Sequence, residues 1–524
     1  MKRHTHFGVL VALTCSPATL LAPPASAEER QPTDVQSDVR ALQSENAAMR
    51  EQLRRLEEQQ KVLLELVKDL QRGHDAGSPP GIPGAAAAPI APPPAAAPSP
   101  GPPAAVAAGD VPVAVPASFA QQVTRNLTDR YQDGIVIWQA PGDASVPFLL
   151  KFNVNTQVRY LNSTDSEDSF TDHLGNVYEV NTRNDITVNR TMFILGGYIF
   201  DPRLRYSSTV WTSAGAASIV VAGTIGWEFN KGFTLTGGYT GVPGSRSLVD
   251  TFPFFTASDR SMADNFFRPG FTQGIWAKGE PIEGLNYMAF IGNGLNTLSL
   301  SASKIDENVM YSGSVWWEPL GDYSEAGKSR NMYDDYFATD KVRIRLGTSF
   351  TRSREDRFSN LDQSSPENTS MHNSDGILTF ATGAFAPGVT VDQATYRMWA
   401  IDSGLKWKGL ALNGQYYFRR VDDFRADGPL PISSMFDHGF EWSASYFVLP
   451  EKMAVYGRGS RVNGEFGDSW EYAAGLKWHF VPTERAWVNA ELMRVHDAPY
   501  SGTFTPYTSG LDGWVPMVQG ILAF

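Results

Sequence analysis

The sequence predicts an all-β transmembrane barrel of sixteen antiparallel strands, carried behind an N-terminal coiled-coil helix and a Pro/Ala-rich linker. Three observations predict it. In "KVRIRLGTSFTR", positions 341–352, Lys341, Arg343, Arg345, Gly347 and Ser349 alternate with Val342, Ile344, Leu346, Thr348 and Phe350. That is the period of a strand, and a cationic face opposite a wholly apolar one suits a wall between water and lipid. The chain also lacks any internal apolar run of the roughly 20 residues that a membrane helix needs. Finally it stops on "MVQGILAF", which places Val518, Gly520, Leu522 and Phe524 on one face of a last strand.

At the start, "MKRHTHFGVLVALTCSPATLLAPPASAEER" sets Lys2 and Arg3 before an apolar run and Ala25-Ser26-Ala27 as a small-x-small cleavage site. Residues 1–27 are expected to be a secretory signal peptide. The single cysteine, Cys15, would leave with it, so neither disulfides nor thiolate metal sites are expected. The formal net charge is −12; removing the two leader cations from the 44 in the chain, against 56 acids, leaves −14. Such acidity argues against nucleic acid as a partner.

Residues 28–72 carry an unbroken heptad. Val35, Leu42, Met49, Leu56, Leu63 and Leu70 recur every seventh residue, and Val39, Asn46, Leu53, Gln60 and Val67 form the second seam. This predicts a coiled coil, with Asn46 and Gln60 setting register and oligomer number at some cost in stability. Residues 73–118 follow as a Pro/Ala/Gly-rich spacer, which in extended polyproline geometry at about 3.1 Å per residue reaches on the order of 140 Å. Residues 119–146 lead into the barrel domain, 147–524.

Alternation and turn signals place the strands near 148–160, 184–199, 203–213, 218–230, 232–240, 271–279, 284–292, 306–318, 340–352, 393–408, 410–420, 438–449, 451–460, 469–481, 486–496 and 515–524. Short connections such as "FDPRL", "FNKGF", "KWKGL" and "VLPEK" alternate with long ones at 161–183, 241–270, 353–392, 421–437 and 497–514. An even strand number with turns on one side and loops on the other is the bacterial outer-membrane pattern, with the N-terminal segment in the periplasm. Only 319–339 is longer than a short-side connection should be.

"FEWSASYFVLPEKMAVYGRGSRV", "SWEYAAGLKWHFVPTERAWVNAELMRV" and "VNRTMFILGGYIFDPRLRY" resemble, in order, hairpins of the phosphate-selective porin O and P family. The resemblance covers roughly 147–524. It implies a trimeric outer-membrane porin for passive diffusion of small hydrophilic solutes, anions such as phosphate among them. The loop "TFPFFTASDRSMADNFFRPG" keeps the family's acidic-Arg-Ser character at Asp259, Arg260 and Ser261. Asn189-Arg190 followed by Met192 departs from the family's consecutive cations, so the fold carries over more firmly than phosphate selectivity.

The expected pore and anion-binding residues are Arg190, Arg260, Arg268, Arg343 and Arg345, because the planar guanidinium fork donates paired hydrogen bonds to oxyanions. Arg205, Lys406, Arg419 and Arg458 are further lumen cations. Each arginine also admits a purely structural role against Asp185, Asp402, Glu441 or Glu471. Trp407, Tyr446, Trp478 and Trp487 are expected in the interfacial girdles. No enzymatic motif is present: HExxH and GxSxG are missing, and "GDYSEAGKS" has the wrong spacing for a phosphate-binding loop. His438, His479 and His496 lack ligand spacing, and no cofactor or metal is expected. Outer-membrane lipid, other copies of the chain and small solutes are the expected partners. A rival reading makes the barrel an anchor and the coiled coil a periplasmic tether to the cell wall.

Overall fold

The computed structural model describes residues 130–213, 218–296, 305, 307–323, 332–360, 370–502 and 504–524. The signal peptide, the coiled coil and the linker lie outside the described residues.

A short strand, β1 (Ile135–Gln139), precedes the barrel. The barrel opens with β2 (Phe148–Asn162), and a small hairpin, β3 (Ser169–Thr171) with β4 (Val177–Glu179), decorates the following loop. The wall continues through β5 (Asn184–Ile199), β6 (Asp201–Ser213), β7 (Ser218–Asn230), β8 (Phe233–Gly241), β9 (Phe271–Ile282), β10 (Leu285–Gly292) and β11 (Met310–Trp317). It ends with β12 (Arg343–Asp356), β13 (Val391–Trp407), β14 (Leu410–Ala426), β15 (Ser434–Leu449), β16 (Met453–Asn463), β17 (Asp468–Trp478), β18 (Ala486–His496) and β19 (Gly513–Ala523).

Each wall strand pairs antiparallel with the next, and β19 returns to β2 from Met517↔Leu161 to Ala523↔Asn155. Sixteen strands therefore close a cylinder with no free edge along the wall. β1 extends the pairing of β2 just beyond the end of β19, through Ile135↔Phe152 and Gln139↔Leu149. Every segment read from alternation has its strand. The misplaced ends lie mainly toward the long loops, where β12 runs on to Asp356, β14 to Ala426 and β15 starts at Ser434. There both faces become polar, so apolar alternation fades although the hydrogen-bond ladder persists.

The short turns follow from local chemistry. Between β13 and β14, Lys408 and Gly409 both have positive φ (49° and 85°), the I′ geometry whose twist matches a tight hairpin, and glycine takes the second place without strain.

The register of β12 is as alternation requires: Leu346 and Phe350, like Val342 just before the strand, are exposed on the outer face, while Arg345 is wholly buried inside. Trp407, Tyr446 and Trp478 are each about half exposed on the outer face, the side a girdle residue must occupy. Trp487 is a correction. It is 1% exposed, on the inner face of β18 with Asn489 and Glu491, its ring 5.9 Å from that of Phe254.

Candidate pore constriction

The lumen is filled from both ends. Residues 242–270, between β8 and β9, turn inward as one long loop and are buried almost throughout. The loop carries one short helix, α1 (Met262–Phe267), whose N-cap Ser261 accepts a hydrogen bond from the Asp264 N–H at 3.0 Å. From its origin at β8 the loop crosses to β14, β15 and β16 on the far wall. Wall acceptors satisfy the free N–H groups at the start of α1: Met262 N donates to Glu471 Oε1 at 2.8 Å and Ala263 N to Ser460 Oγ at 3.1 Å. Asp264 accepts from Ser245 Oγ (2.7 Å), Ser247 Oγ (2.6 Å) and Tyr417 OH (3.0 Å), tying the two halves of the loop to each other and to β14.

The overlong connection at 319–339 has a structural reason. Its described residues, 319–323 and 332–339, bury Tyr323, Tyr333 and Tyr336 inside the barrel, and Tyr333 N donates to Phe254 O of the inner loop at 3.0 Å. Toward the long-loop end, Met371, Phe380 and Phe385 pack into one apolar cluster with Phe266 and Phe267. Over this cluster His173 Nδ1 lies 2.6 Å from Asp375 Oδ2, and its ring stacks on Phe466 at 3.8 Å. Among the inner loop, the wall and Tyr333 lies a void of about 30 Å³; a separate vestibule of about 520 Å³ opens at the short-turn end, lined in part by Lys151, Arg205 and Arg485.

The five arginines named from sequence all face the barrel interior, but at different levels. Arg190 donates to Asp259 Oδ2 and to Gln157 Oε1, both at 2.8 Å. Arg260 lies 3.6 Å from Asp264, over the Phe255 ring at 4.9 Å. Arg268 closes α1, its backbone N–H bonded to Asp264 O at 2.9 Å. Arg345 pairs with Asp402 at 2.9 Å and lies 3.9 Å from Glu318. Arg343 is half-buried nearer the short-turn end, where it donates to Leu320 O. Arg190 and Arg260 thus belong to one cluster around Asp259, Arg345 to another, and Arg343 to the mouth.

The remaining cations are largely matched as well. Arg419 pairs with Asp437 at 2.8 Å, and Arg458 bridges Glu471 (3.1 Å) and Glu491 (2.8 Å). Burial would raise the Asp259 carboxyl, but Arg190 and Arg260 outweigh it and hold it down at about 2. Of the acids expected as partners, Asp402 and Glu471 serve this way and Asp185 pairs with Arg183, whereas Glu441 accepts instead from Ser261 and Tyr417.

Among the described residues, the buried cations with no carboxylate within 4 Å include Arg246 and Lys406. Both lie over the Tyr323 ring, at 5.3 and 4.3 Å. Sequence reasoning named Lys406 only as one lumen cation among several and gave Arg246 no individual weight. No local signal distinguishes them, because their isolation depends on what the opposite wall brings.

One grouping escaped sequence spacing: His496, Asp497 and Asp512 bring a ligand-type atom each within 4.8 Å of one another. Asp512 is already engaged there by Arg494 and by His496 Nδ1 at 2.6 Å.

No family model and no curated protein matches the chain. Among solved structures it is similar to OmpT, an outer-membrane protein of Vibrio cholerae, with 11% identity and a TM-score of 0.44 over 74% of this chain and 99% of that one. It is also similar to OprB of Pseudomonas putida (9%, 0.43, over 72% and 94%) and to an anion-selective porin from Comamonas acidovorans (12%, 0.42, over 72% and 100%). The functional reading rests on the barrel's own geometry.

Proposed function

We propose that the chain is an outer-membrane porin, a passive and non-enzymatic channel for small hydrophilic solutes, narrowed by residues 242–270 and with a weak preference for anions. The observation that supports it is the two-solvent wall: an apolar outer face of sixteen strands encloses a charged lumen crossed by a loop bearing Arg246, Arg260 and Arg268. Turning wall cations such as Arg343 and Arg345 toward lipid would cost roughly 2 to 4 kcal/mol each near the midplane. Anion preference follows from Arg246, a buried lumen cation with no carboxylate within 4 Å among the described residues. Phosphate stands as one candidate solute, on the resemblance of the hairpins to the phosphate-selective porins, and a trimer is the proposed assembly. The deciding experiment is single-channel recording in planar bilayers with reversal potentials in a salt gradient. An anion-selective current supports the reading, and a cation-selective one overturns the anion preference.

A second reading is favoured by the inner loop, residues 242–270, which is buried almost throughout inside the barrel and narrows the lumen. A barrel held permanently in this state would be an anchor for the periplasmic segment, and it would carry no current.

A further inference from the structure

The void beside the inner loop has donors left over. Arg246 is 2% exposed, and its Nε and Nη2 have no hydrogen-bond partner; the side chain is held by Ser403 O, which accepts from Nη1 at 3.2 Å, and by Tyr323. Gln415, on β14, is 5% exposed and leaves Nε2 without a partner. Its amide cannot turn over to relieve this, because Gln415 Oε1 accepts the backbone N–H of Arg246 at 3.1 Å, and a flip would set donor against donor. Both residues line the same void.

Buried donors that stay unsatisfied are costly, and a buried guanidinium with no counter-ion more so. Here the two coincide. The Tyr333 ring lies 4.2 Å from the Arg246 guanidinium and covers one face. Three carboxylates also border the void, but each already accepts from other groups: Asp259 from Arg190, Asp264 from Ser245, Ser247 and Tyr417, and Glu441 from Ser261 and Tyr417.

We infer that a single halide-sized anion, chloride being the physiological one, binds between Arg246 and Gln415 and pins the inner loop to the barrel wall. The occupant must accept from three nitrogen atoms. A void of about 30 Å³ has room for an occupant the size of a water molecule or a halide. The anion is therefore a staple of the closed loop and distinct from any permeating solute. It does not depend on the channel reading, since a barrel that conducts nothing would hold the ion equally well.

The test uses the full chain in detergent micelles with bromide as the probe. Crystals grown in sodium bromide should give an anomalous peak within hydrogen-bond reach of both Arg246 Nε and Gln415 Nε2. Thermal unfolding should rise saturably with bromide over gluconate at equal ionic strength, and inorganic phosphate should not compete. Gln415→Leu, which keeps the cation, should weaken the bromide half-saturation about tenfold, as expected for one lost hydrogen bond to a charged group. Arg246→Gln should abolish the bromide dependence. A water in place of the peak, a melting temperature indifferent to bromide in the unaltered protein, or competition by phosphate would each overturn the inference.

Discussion

Arg190 on the barrel wall and Asp259 on the inner loop meet at 2.8 Å across 69 positions of sequence, and Arg159 reaches the same carboxylate at 3.9 Å. One aspartate thus offsets two wall arginines and Arg260 beside it. Replacing Asp259 by Asn should leave that positive cluster without its close counter-charge and move the reversal potential toward anions. One elementary charge a few Å away is worth about 1 kcal/mol in water-like surroundings, a several-fold change in permeability ratio. Because the carboxyl titrates only near pH 2, Asp259 should stay charged from neutral pH down to about pH 4, and D259N should differ from the unaltered protein throughout that range. Planar-bilayer recordings at several pH values check both statements.

Changing Arg260 and Arg343 together to Ala should shift the reversal potential the other way. Arg260 lies 3.6 Å from Asp264, which would lose that cation, and Arg343 stands at the short-turn mouth. The shift should be larger at low salt, where screening over about 8 Å no longer hides the mouth charge. An unchanged potential would place both residues outside the conduction path.

Deleting residues 246–266 should raise single-channel conductance several-fold. The wall closes its own backbone hydrogen bonds between β8 and β9, so the barrel does not depend on the inner loop for closure. Heat-modifiable migration on gels would verify folding, and equal conductance would show that the loop does not limit the current.

His372 gives the long-loop end a pH dependence. Burial, helped by the positive charge of Arg419, pushes its imidazole down to about 4 despite the Ser370 carbonyl that favours the proton. Unfolded, the ring would take up a proton near pH 6.5, whereas in place it stays neutral. Local stability is therefore full above pH 6.5 and falls as the pH drops toward 4, by up to about 3 kcal/mol. Hydrogen exchange in 370–390 should accelerate over that window, and His372→Gln should flatten the profile.

Removing residues 28–118 should leave a barrel that still inserts. The isolated segment 35–70 should sediment as an oligomer, and Asn46→Leu should raise its melting temperature while loosening the oligomer number. Failure of the truncated barrel to insert would count against a separable tether.

All sixteen wall strands could be read from the amino-acid order, because strand alternation is local: each residue faces the side opposite its neighbour, and lipid against water sets which side is apolar. The same rule correctly oriented Val342, Arg345, Leu346 and Phe350. It would also have turned Trp487 inward, since that residue is in phase with Glu491; the girdle assignment failed because it weighed residue type above phase. The charge state of the lumen was decided only by the tertiary structure. Whether an arginine is neutralised depends on partners brought from distant strands and from a loop that crosses the barrel, as Asp259 comes to Arg190 and as none comes to Arg246. Coulomb interactions act through space over a few Å, and the folded wall decides which residues lie within that reach.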